Sequence, residues 1–270
     1  MARQITAHSN ETLKRIRSLR EKKFRQREGL FLAEGMRIVT EAVDAGRIPA
    51  MLVYGEDTRG HPVLRRLAAA CAAAGGDVIE TTTEILGKLA AKDNPQSVLG
   101  VFPLVETPLD SINRSASFAW VVCQSLKDPG NLGTILRTAD AVGAGGVILL
   151  DQSCDPSSVE AVRASMGALF TQDVVQTTAA AFFEWLRAGP GQLVGASLNT
   201  THDYQAVTYA APTFLFMGNE QSGLPSDVEN ACDELVRIPM MGKADSLNLA
   251  SAASVMIYEA WRSRSYEGAN

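Results

Sequence analysis

Apolar positions in the first part of the chain switch repeatedly between the spacing of helices and that of strands. Asn10 is a good helix N-cap and Gly29 a good helix stop, so we predict a single helix between them. Its apolar face comprises Leu13, Ile16, Leu19 and Phe24. LFLAEG, MLVYG, DVIETT and SVLGVFPLV then have strand patterns, whereas MRIVTEAVDAG and HPVLRRLAAACAAAGG have helix patterns. This alternation predicts an α/β layer.

Residues 105–117 interrupt the alternation with Pro, Asp, Asn and Ser, which are typical of loops. We predict a domain over residues 1–104, a linker over 105–117 and a second domain over 118–270. Alternation resumes with the strand FAWVVCQSL, the helix NLGTILRTADAVGAGG and the strand VILLD. It continues through SSVEAVRASMGALF, AAAFFEWLRAG, QLVGASL, TFLFMG and LVRIPM. A final helix is expected from Ser246, with Asp245 or Ser246 as its N-cap.

The charge of the chain is unevenly distributed. The formal net charge is -5, yet residues 1–30 hold nine Lys and Arg against three Glu. A basic face of this kind can meet RNA phosphates, although a merely solvated helix face is an equally good interpretation. The candidate RNA contacts are Arg15, Arg17, Lys22 and Lys23.

Composition excludes several classes of protein. With 46% hydrophobic residues the chain can bury a sizeable core, and no apolar run has the length of a transmembrane helix. The start lacks the apolar region of a signal peptide, so we expect a cytoplasmic protein. The four cysteines are far apart and the three histidines are isolated. We therefore expect reduced thiols and no metal site.

The stretch DPGNLGTILRTADAVG is the first candidate for chemistry. A turn at Asp128 follows a predicted strand and leads into a helix, with Asn131 at its start and Arg137 off its apolar face. This arrangement places polar groups at the carboxyl edge of a sheet, where α/β proteins bind ligands. The glycines in GAGG follow the helix, so they fit a helix stop and not a dinucleotide-binding loop.

Two later stretches have similar potential, although each has a plain structural interpretation. In TFLFMGNEQSGLP, Gly218 would let a ligand approach the backbone and Glu220 could hold a donor group. Polar loops with glycine are also common without any function. In IPMMGKADSLNLASAAS, a capped helix with small residues permits close packing, which an ordinary core helix would also use.

Taken together and in this order, NLGTILRTADA, GNEQSGL and IPMMGKADSLNLASAAS resemble the three motifs of the SpoU/TrmH-type RNA 2'-O-ribose methyltransferases of the SPOUT superfamily. The likeness covers residues 118–263. The first half, with FLAEGMRIVTEAVDAG, resembles the L30e-like substrate-binding domain of this family. The resemblance implies a C-terminal α/β domain whose trefoil knot holds S-adenosylmethionine, a homodimer with the catalytic region near the interface between knots, and no metal.

The resemblance also assigns roles to individual residues. The implied catalytic set is Asn131, Arg137, Glu220, Ser246 and Asn248. The implied cofactor-binding set is Gly218, Asn219, Ile238, Met240 and Leu247. Arg137 would lie beside the ribose 2'-OH or its neighbouring phosphate. Because the pKa of arginine is above about 12, we expect this side chain to orient the hydroxyl and offset negative charge more than to take its proton.

The motifs favour this function over two alternatives. A nucleotide-binding oxidoreductase would need a correctly placed G-x-G-x-x-G, which the chain lacks. A non-catalytic RNA-binding or ribosome-associated module would not need the motif residues named above. Among methyltransferases, ribosomal RNA is favoured over transfer RNA because the extra N-terminal domain is more typical of the ribosomal RNA members. The nucleotide that is methylated stays open.

Overall fold

The computed structural model describes residues 2–90, 97–220 and 222–269. The chain forms two compact units. Unit 1 comprises Met1–Val105 together with Asp155–Thr171, and unit 2 comprises Glu106–Cys154 together with Gln172–Asn270. Among the described residues, no helix is long and apolar enough to cross a membrane.

Strands and helices alternate along both units. The strands are β1 (Arg3–Gln4), β2 (Leu30–Glu34), β3 (Met51–Gly55), β4 (Asp77–Thr81), β5 (Val98–Pro103), β6 (Ala119–Gln124), β7 (Gly146–Leu150), β8 (Asp173–Thr177), β9 (Gln192–Ala196), β10 (Thr213–Met217) and β11 (Glu234–Val236). The helices are α1 (Glu11–Ser18), α2 (Lys22–Glu28), α3 (Met36–Asp44), α4 (Pro62–Ala73), α5 (Thr83–Ala90), α6 (Pro129–Val142), α7 (Val159–Ser165), α8 (Ala179–Arg187), α9 (Ser226–Ala231) and α10 (Leu249–Arg262).

Unit 1 is built on a mixed five-stranded sheet in the order β1-β4-β3-β5-β2. β5 runs antiparallel to its neighbours β3 and β2, and the other pairs are parallel. Alternate residues of β3 enter different apolar clusters, with Met51 and Val53 in one and Leu52 and Tyr54 in the other. Because successive strand residues point to opposite faces, this sheet is covered by apolar side chains on both sides. The predicted α/β class is confirmed for this unit.

The predicted helix between Asn10 and Gly29 is wrong in one respect, since it is two helices. Asn10 does cap α1, accepting from the backbone N–H of Thr12 at 2.9 Å, and Gly29 ends α2 with φ 64°. Between them the chain turns, and Arg25 donates to the carbonyls of Leu19 at 2.9 Å and Arg20 at 2.7 Å. A buried guanidinium thus satisfies carbonyl groups that the end of α1 leaves free.

Unit 1 also contains residues 155–171. The domain boundaries predicted from the sequence place this segment in the second domain. Val159 joins one apolar cluster of this unit, and Val162 and Phe170 join the other. At the start of the segment, Asp155 Oδ2 accepts from Arg25 Nη2 at 2.6 Å. Burial raises the pKa of Asp155, but the hydrogen bonds from Ser157 and Arg25 outweigh burial and lower it overall. A buried ion pair therefore joins the segment to α2.

Unit 2 contains a six-stranded sheet, in the order β11-β9-β10-β6-β7-β8, in which every pair is parallel. β10 lies between β9 and β6, so the loops that follow these strands meet at one edge of the sheet. Helix α10 packs against α6 and β10. Open parallel sheets bind ligands at the carboxyl ends of their strands, near the point where strand order reverses.

Several short elements lack a sequence signal. β1, α5, β8 and α9 are absent from the predicted set, and β11 covers only the first part of the predicted strand LVRIPM. The two-residue strand β1 and the five-residue strand β8 depend on pairing with neighbours, which local patterns do not show, and α9 has only six residues. The helix stop predicted at the GAGG glycines is confirmed, because Gly143 ends α6 with φ 68°.

Replacing Asp155 by Asn should destabilise unit 1 in a pH-dependent way. The pKa of Asp155 is lower in the folded protein than in the unfolded chain, where an Asp has a pKa of about 4. The ionised carboxylate therefore stabilises the fold above about pH 4, and this stabilisation is lost as the pH falls through the folded pKa. We expect Asp155→Asn to lower the free energy of unfolding by about 2 kcal/mol at pH 7. Hydrogen exchange of α1 and α2 at several pH values measures this difference.

The wild type and the variant should converge as the pH is lowered below 4, because the wild-type carboxylate is then protonated. Asp57→Asn is the matched control, since Asp57 is an exposed carboxylate of unit 1 with no ion pair to another described residue. A deficit that stays constant with pH would contradict the assignment of the stabilisation to the Arg25–Asp155 pair.

Candidate functional site

A cavity of about 530 Å³ lies in unit 2 at the carboxyl edge of the parallel sheet. Its walls come from the loops that follow β9, β10 and β11 and from the start of α10. Eight of the ten predicted catalytic and cofactor-binding residues line it: Gly218, Asn219, Glu220, Ile238, Met240, Ser246, Leu247 and Asn248. Asn131 and Arg137 are outside the lining.

Asn131 nevertheless joins the cavity through its side chain. Asp128 caps α6 by accepting from the backbone N–H groups of Gly130 and Asn131, which holds Asn131 in the first helical turn. Asn131 Nδ2 donates to Glu220 Oε1 at 3.1 Å. Asn131 Oδ1 accepts from Asn248 Nδ2 at 3.0 Å. One amide therefore connects all three sequence motifs, and its two bonds determine which way it faces.

Asn248 is the N-cap of α10, so the predicted cap at Asp245 or Ser246 is wrong. Its Oδ1 accepts from the backbone N–H groups of Ala250 at 3.0 Å and Ser251 at 3.3 Å. The same side chain also donates to Asn131. An amide offers an acceptor and a donor on two separate atoms of one short side chain, whereas a carboxylate offers acceptors alone.

The small residues of α10 allow close approach to α6, as their pattern predicts. Ala250 and Ala253 are buried, and the two helices pack against each other. The hydroxyls of Thr138 and Ser254 are hydrogen-bonded across the contact at 2.9 Å. The start of α10, and with it Asn248, is thus held beside the start of α6.

Gly218 has a structural role besides the contact with a ligand that is predicted for it. A Cβ at this position would lie 2.4 Å from the carbonyl carbon of Gly223 and 2.6 Å from the nitrogen of Leu224. The glycine is therefore required by the loop itself, whose ends are joined by paired backbone bonds of 3.0 Å between Asn219 and Gly223. The structure explains the glycine without a ligand, although Gly218 does line the cavity.

Asn219 ties this loop to the neighbouring strand. Its Nδ2 donates to the carbonyl of Ser125 at 3.2 Å, just beyond the end of β6. Ser125 has φ 51°, a left-handed conformation that is uncommon for serine. The contact helps to hold the β6–α6 connection beside the β10 loop, so Asn219 has a structural use besides any contact with a ligand.

Arg137 is exposed on α6 and makes no hydrogen bond or ion pair with another described residue. Its guanidinium is therefore available to a molecule outside the chain. The four candidate RNA contacts on α1 and α2 are also exposed. Among these, Arg15 is paired with Glu28 and Lys23 with Glu21.

A second cluster of polar side chains at the cavity is absent from the predicted catalytic and cofactor-binding residues. Ser197 and Asn199 follow β9 and line the cavity, and both donate to the carboxylate of Glu229 on α9. The sequence SLNT has no distinctive pattern, and α9 is too short for a periodic signal. Only the pairing of β9 with β10 and β11 brings these residues to the cavity.

Within the described ranges, no cluster of three or more His, Cys, Asp or Glu residues is arranged to hold a metal ion. Burial, with smaller contributions from Cys154 and Glu220, raises the pKa of Cys123 well above its ordinary value. The Cys123 thiol is therefore protonated at neutral pH and unreactive.

Models of two known protein families match the two halves of the chain. The model of the SpoU rRNA Methylase family matches residues 119–258, and that of the MRM3-like substrate binding domain matches residues 10–100. The 23S rRNA (uridine(2479)-2'-O)-methyltransferase of Streptomyces viridochromogenes is 32% identical, across 97% of this chain and 93% of its own. The 23S rRNA (guanosine(2553)-2'-O)-methyltransferase RlmP of Bacillus subtilis (strain 168) is 28% identical, across 95% and 98%.

A solved structure is similar over nearly the full length. The AdoMet-bound rRNA methyltransferase from Sinorhizobium meliloti has a TM-score of 0.90 and 39% sequence identity, across 97% of this chain and 98% of that one. The first family match spans more than half of the chain and includes all three motifs. The chain therefore belongs to the SpoU rRNA methylase family.

Proposed function

We propose that this protein transfers a methyl group from S-adenosylmethionine to a ribose 2'-OH of ribosomal RNA. The observation that carries the proposal is the hydrogen-bonded chain from Asn248 through Asn131 to Glu220 at a ligand-sized cavity. The two named relatives both act on 23S rRNA at a ribose 2'-O position. Their substrates favour ribosomal RNA over transfer RNA.

The cavity suits S-adenosylmethionine in size and lining. Its volume falls within the range of about 300–1,000 Å³ that is usual for small-molecule sites. Ile238, Met240 and Leu247 offer apolar surface, and the loop around Gly218 and Asn219 offers backbone polar groups. When bound, the cofactor supplies a methyl group on an electrophilic sulfonium.

The chain's own residues position the hydroxyl for attack. Glu220 accepts a hydrogen bond from the Asn131 amide, and Asn248 donates one to it. The Asn131 side chain therefore has little freedom to rotate. Ser246 lies on the same wall. Positioning of this kind can account for much of the rate of a bimolecular transfer. Arg137 contacts the ribose or its phosphate, where it stabilises developing negative charge.

The finer architecture belongs to the same proposal. Unit 1 acts as an L30e-like RNA-binding domain, which the match to a substrate-binding domain supports. Unit 2 forms a trefoil knot around the cofactor, and two copies associate with their catalytic regions near the interface. Tyr258 of α10 is exposed and would be available for contact in such an association. The reaction needs no metal and takes place in the cytoplasm, with the ribosomal RNA.

Methyl transfer to 23S rRNA should depend on Arg137. With labelled S-adenosylmethionine and unmodified 23S rRNA, followed by digestion to nucleosides, the wild type should yield a 2'-O-methylnucleoside. We expect Arg137→Ala to lower kcat by about 100-fold, because a charge that stabilises the transition state is removed. Its affinity for S-adenosylmethionine should be unchanged, since Arg137 does not line the cavity.

Arg187→Ala, which removes an exposed arginine of α8 in the same unit, is the matched control and should keep full activity. Near-normal turnover of Arg137→Ala would overturn the role of this residue. A methylated base in place of a methylated ribose in the wild-type assay would overturn the proposed function itself.

Two substitutions of Asn248 should separate its structural role from its role in the site. Asn248→Asp keeps the oxygen that caps α10 but removes the donor to Asn131. We expect it to unfold like the wild type and to lose at least about tenfold in kcat. Asn248→Ala should lose activity and also about 1 kcal/mol of stability. Thermal unfolding and single-turnover methylation measure the two effects; an active Asn248→Asp variant would contradict the role of the amide.

RNA binding should rely most on those basic residues of α1 and α2 that make no ion pair within the part of the chain that the structure describes. Arg17 and Lys22 make no ion pair with another described residue, whereas Arg15 and Lys23 do. We expect Arg17→Ala with Lys22→Ala to reduce the slope of log affinity against log salt by about 2. The double variant of Arg15 and Lys23 should reduce it less.

Arg66→Ala is the control for this measurement. Arg66 lies on α4 and is paired with Asp44 at the end of α3. The apolar residues of α4 pack on the opposite face of the unit 1 sheet from those of α1. The salt dependence should be measured by filter binding with a fragment of 23S rRNA. An unchanged slope in the Arg17 and Lys22 variant would mean that α1 and α2 serve packing only.

A further inference from the structure

The wall of the cavity formed by Ser197, Asn199 and Glu229 is organised around one carboxylate. Glu229 Oε1 accepts from Ser197 Oγ and from Asn199 Nδ2, the latter at 3.0 Å. Ser197 Oγ in turn accepts from the backbone N–H of Asn199 at 3.0 Å. Ser197 and Asn199 line the cavity, whereas Glu229 lies behind them. The carboxylate therefore determines the orientation of two side chains that a ligand would meet.

This wall presents acceptors and few donors. The single O–H of Ser197 and one N–H of the Asn199 amide are directed at Glu229. Asn199 Oδ1 accepts no hydrogen bond from another described residue. A ligand group with O–H or N–H donors fits such a wall, whereas a carboxylate would meet acceptors and a negative charge.

The strand order separates this wall from the reacting end of the cavity. Ser197 and Asn199 follow β9, and Asn131 follows β6; β10 lies between these two strands. Neighbouring strands lie about 4.8 Å apart, so the two polar groups are about 10 Å apart along the sheet edge. Leu198 and Leu224, which also line the cavity, provide apolar surface at the β9 side. The β9 side thus combines hydrogen-bond acceptors with an apolar surface, as a nucleoside requires.

We propose that Glu229 is a positioning residue for the nucleoside half of S-adenosylmethionine, which it serves by orienting Ser197 and Asn199 toward the ribose hydroxyls. The inference rests on the proposed function, because it takes the cavity to be the cofactor site. The ribose diol offers two O–H donors to this wall. The amino-acid end of the cofactor also carries donors, on its ammonium, but beside them it carries a carboxylate that the wall would disfavour.

Calorimetric titration with two probes tests the assignment. S-adenosylhomocysteine carries both the nucleoside and the amino acid, whereas 5'-methylthioadenosine carries the nucleoside alone. Glu229→Ala should raise the Kd of both by the same factor, about tenfold. Glu229→Gln keeps an oxygen acceptor and should recover most of the affinity. At saturating cofactor, kcat for methylation should stay within about twofold of the wild type.

Asp227→Asn removes an exposed carboxylate from the same short helix and should leave both affinities unchanged. Asn199→Ala, which leaves Glu229 in place, should also raise the Kd of both probes. A loss confined to S-adenosylhomocysteine would overturn the nucleoside assignment, and unchanged affinities in Glu229→Ala would overturn the role of Glu229. Wild-type protein that binds neither probe would instead count against the proposed function.

Discussion

The side-chain amide of Asn131 is the contact on which the candidate site depends. It accepts from Asn248 and donates to Glu220, so it connects the start of α6, the loop after β10 and the start of α10. An amide can do this because it offers a donor and an acceptor in one plane. Removing either partner would leave a polar group without its bond at the edge of the cavity, where it would be free to rotate.

The parallel sheet makes this meeting possible. Because all six strands of unit 2 run in the same direction, the loops that follow them are at one edge. The insertion of β10 between β9 and β6 brings the β10 loop next to α6, which is where Glu220 meets Asn131. The same order leaves Ser197 and Asn199 on the far side of the β10 loop. The cavity is therefore lined by polar groups from both sides of the β10 loop, together with the apolar side chains of Leu198, Ile238 and Leu247.

Unit 1 depends on a different polar contact. Arg25 is buried, where it satisfies the end of α1 and pairs with Asp155. A buried charge is tolerated only when it has partners, and this one has them from two separate parts of the chain. The pair keeps the segment 155–171 with unit 1, although the strands on either side of that segment, β7 and β8, belong to the sheet of unit 2. The contacts of Arg25 thereby stabilise α1 and α2, the helices that bear the exposed basic residues.

The sequence by itself determined the α/β class, most of the longer strands and helices, the stops at Gly29 and Gly143, and the residues of the three motifs. These features depend on periodicity, turn chemistry and side-chain type within a few neighbouring residues. The tertiary structure decided the strand order, the break after α1, the cap at Asn248 and the bonds of Asn131. Those bonds join residues 89 and 117 positions apart. Local patterns cannot specify such contacts, because they arise only when parallel strands bring distant loops to one edge of a sheet.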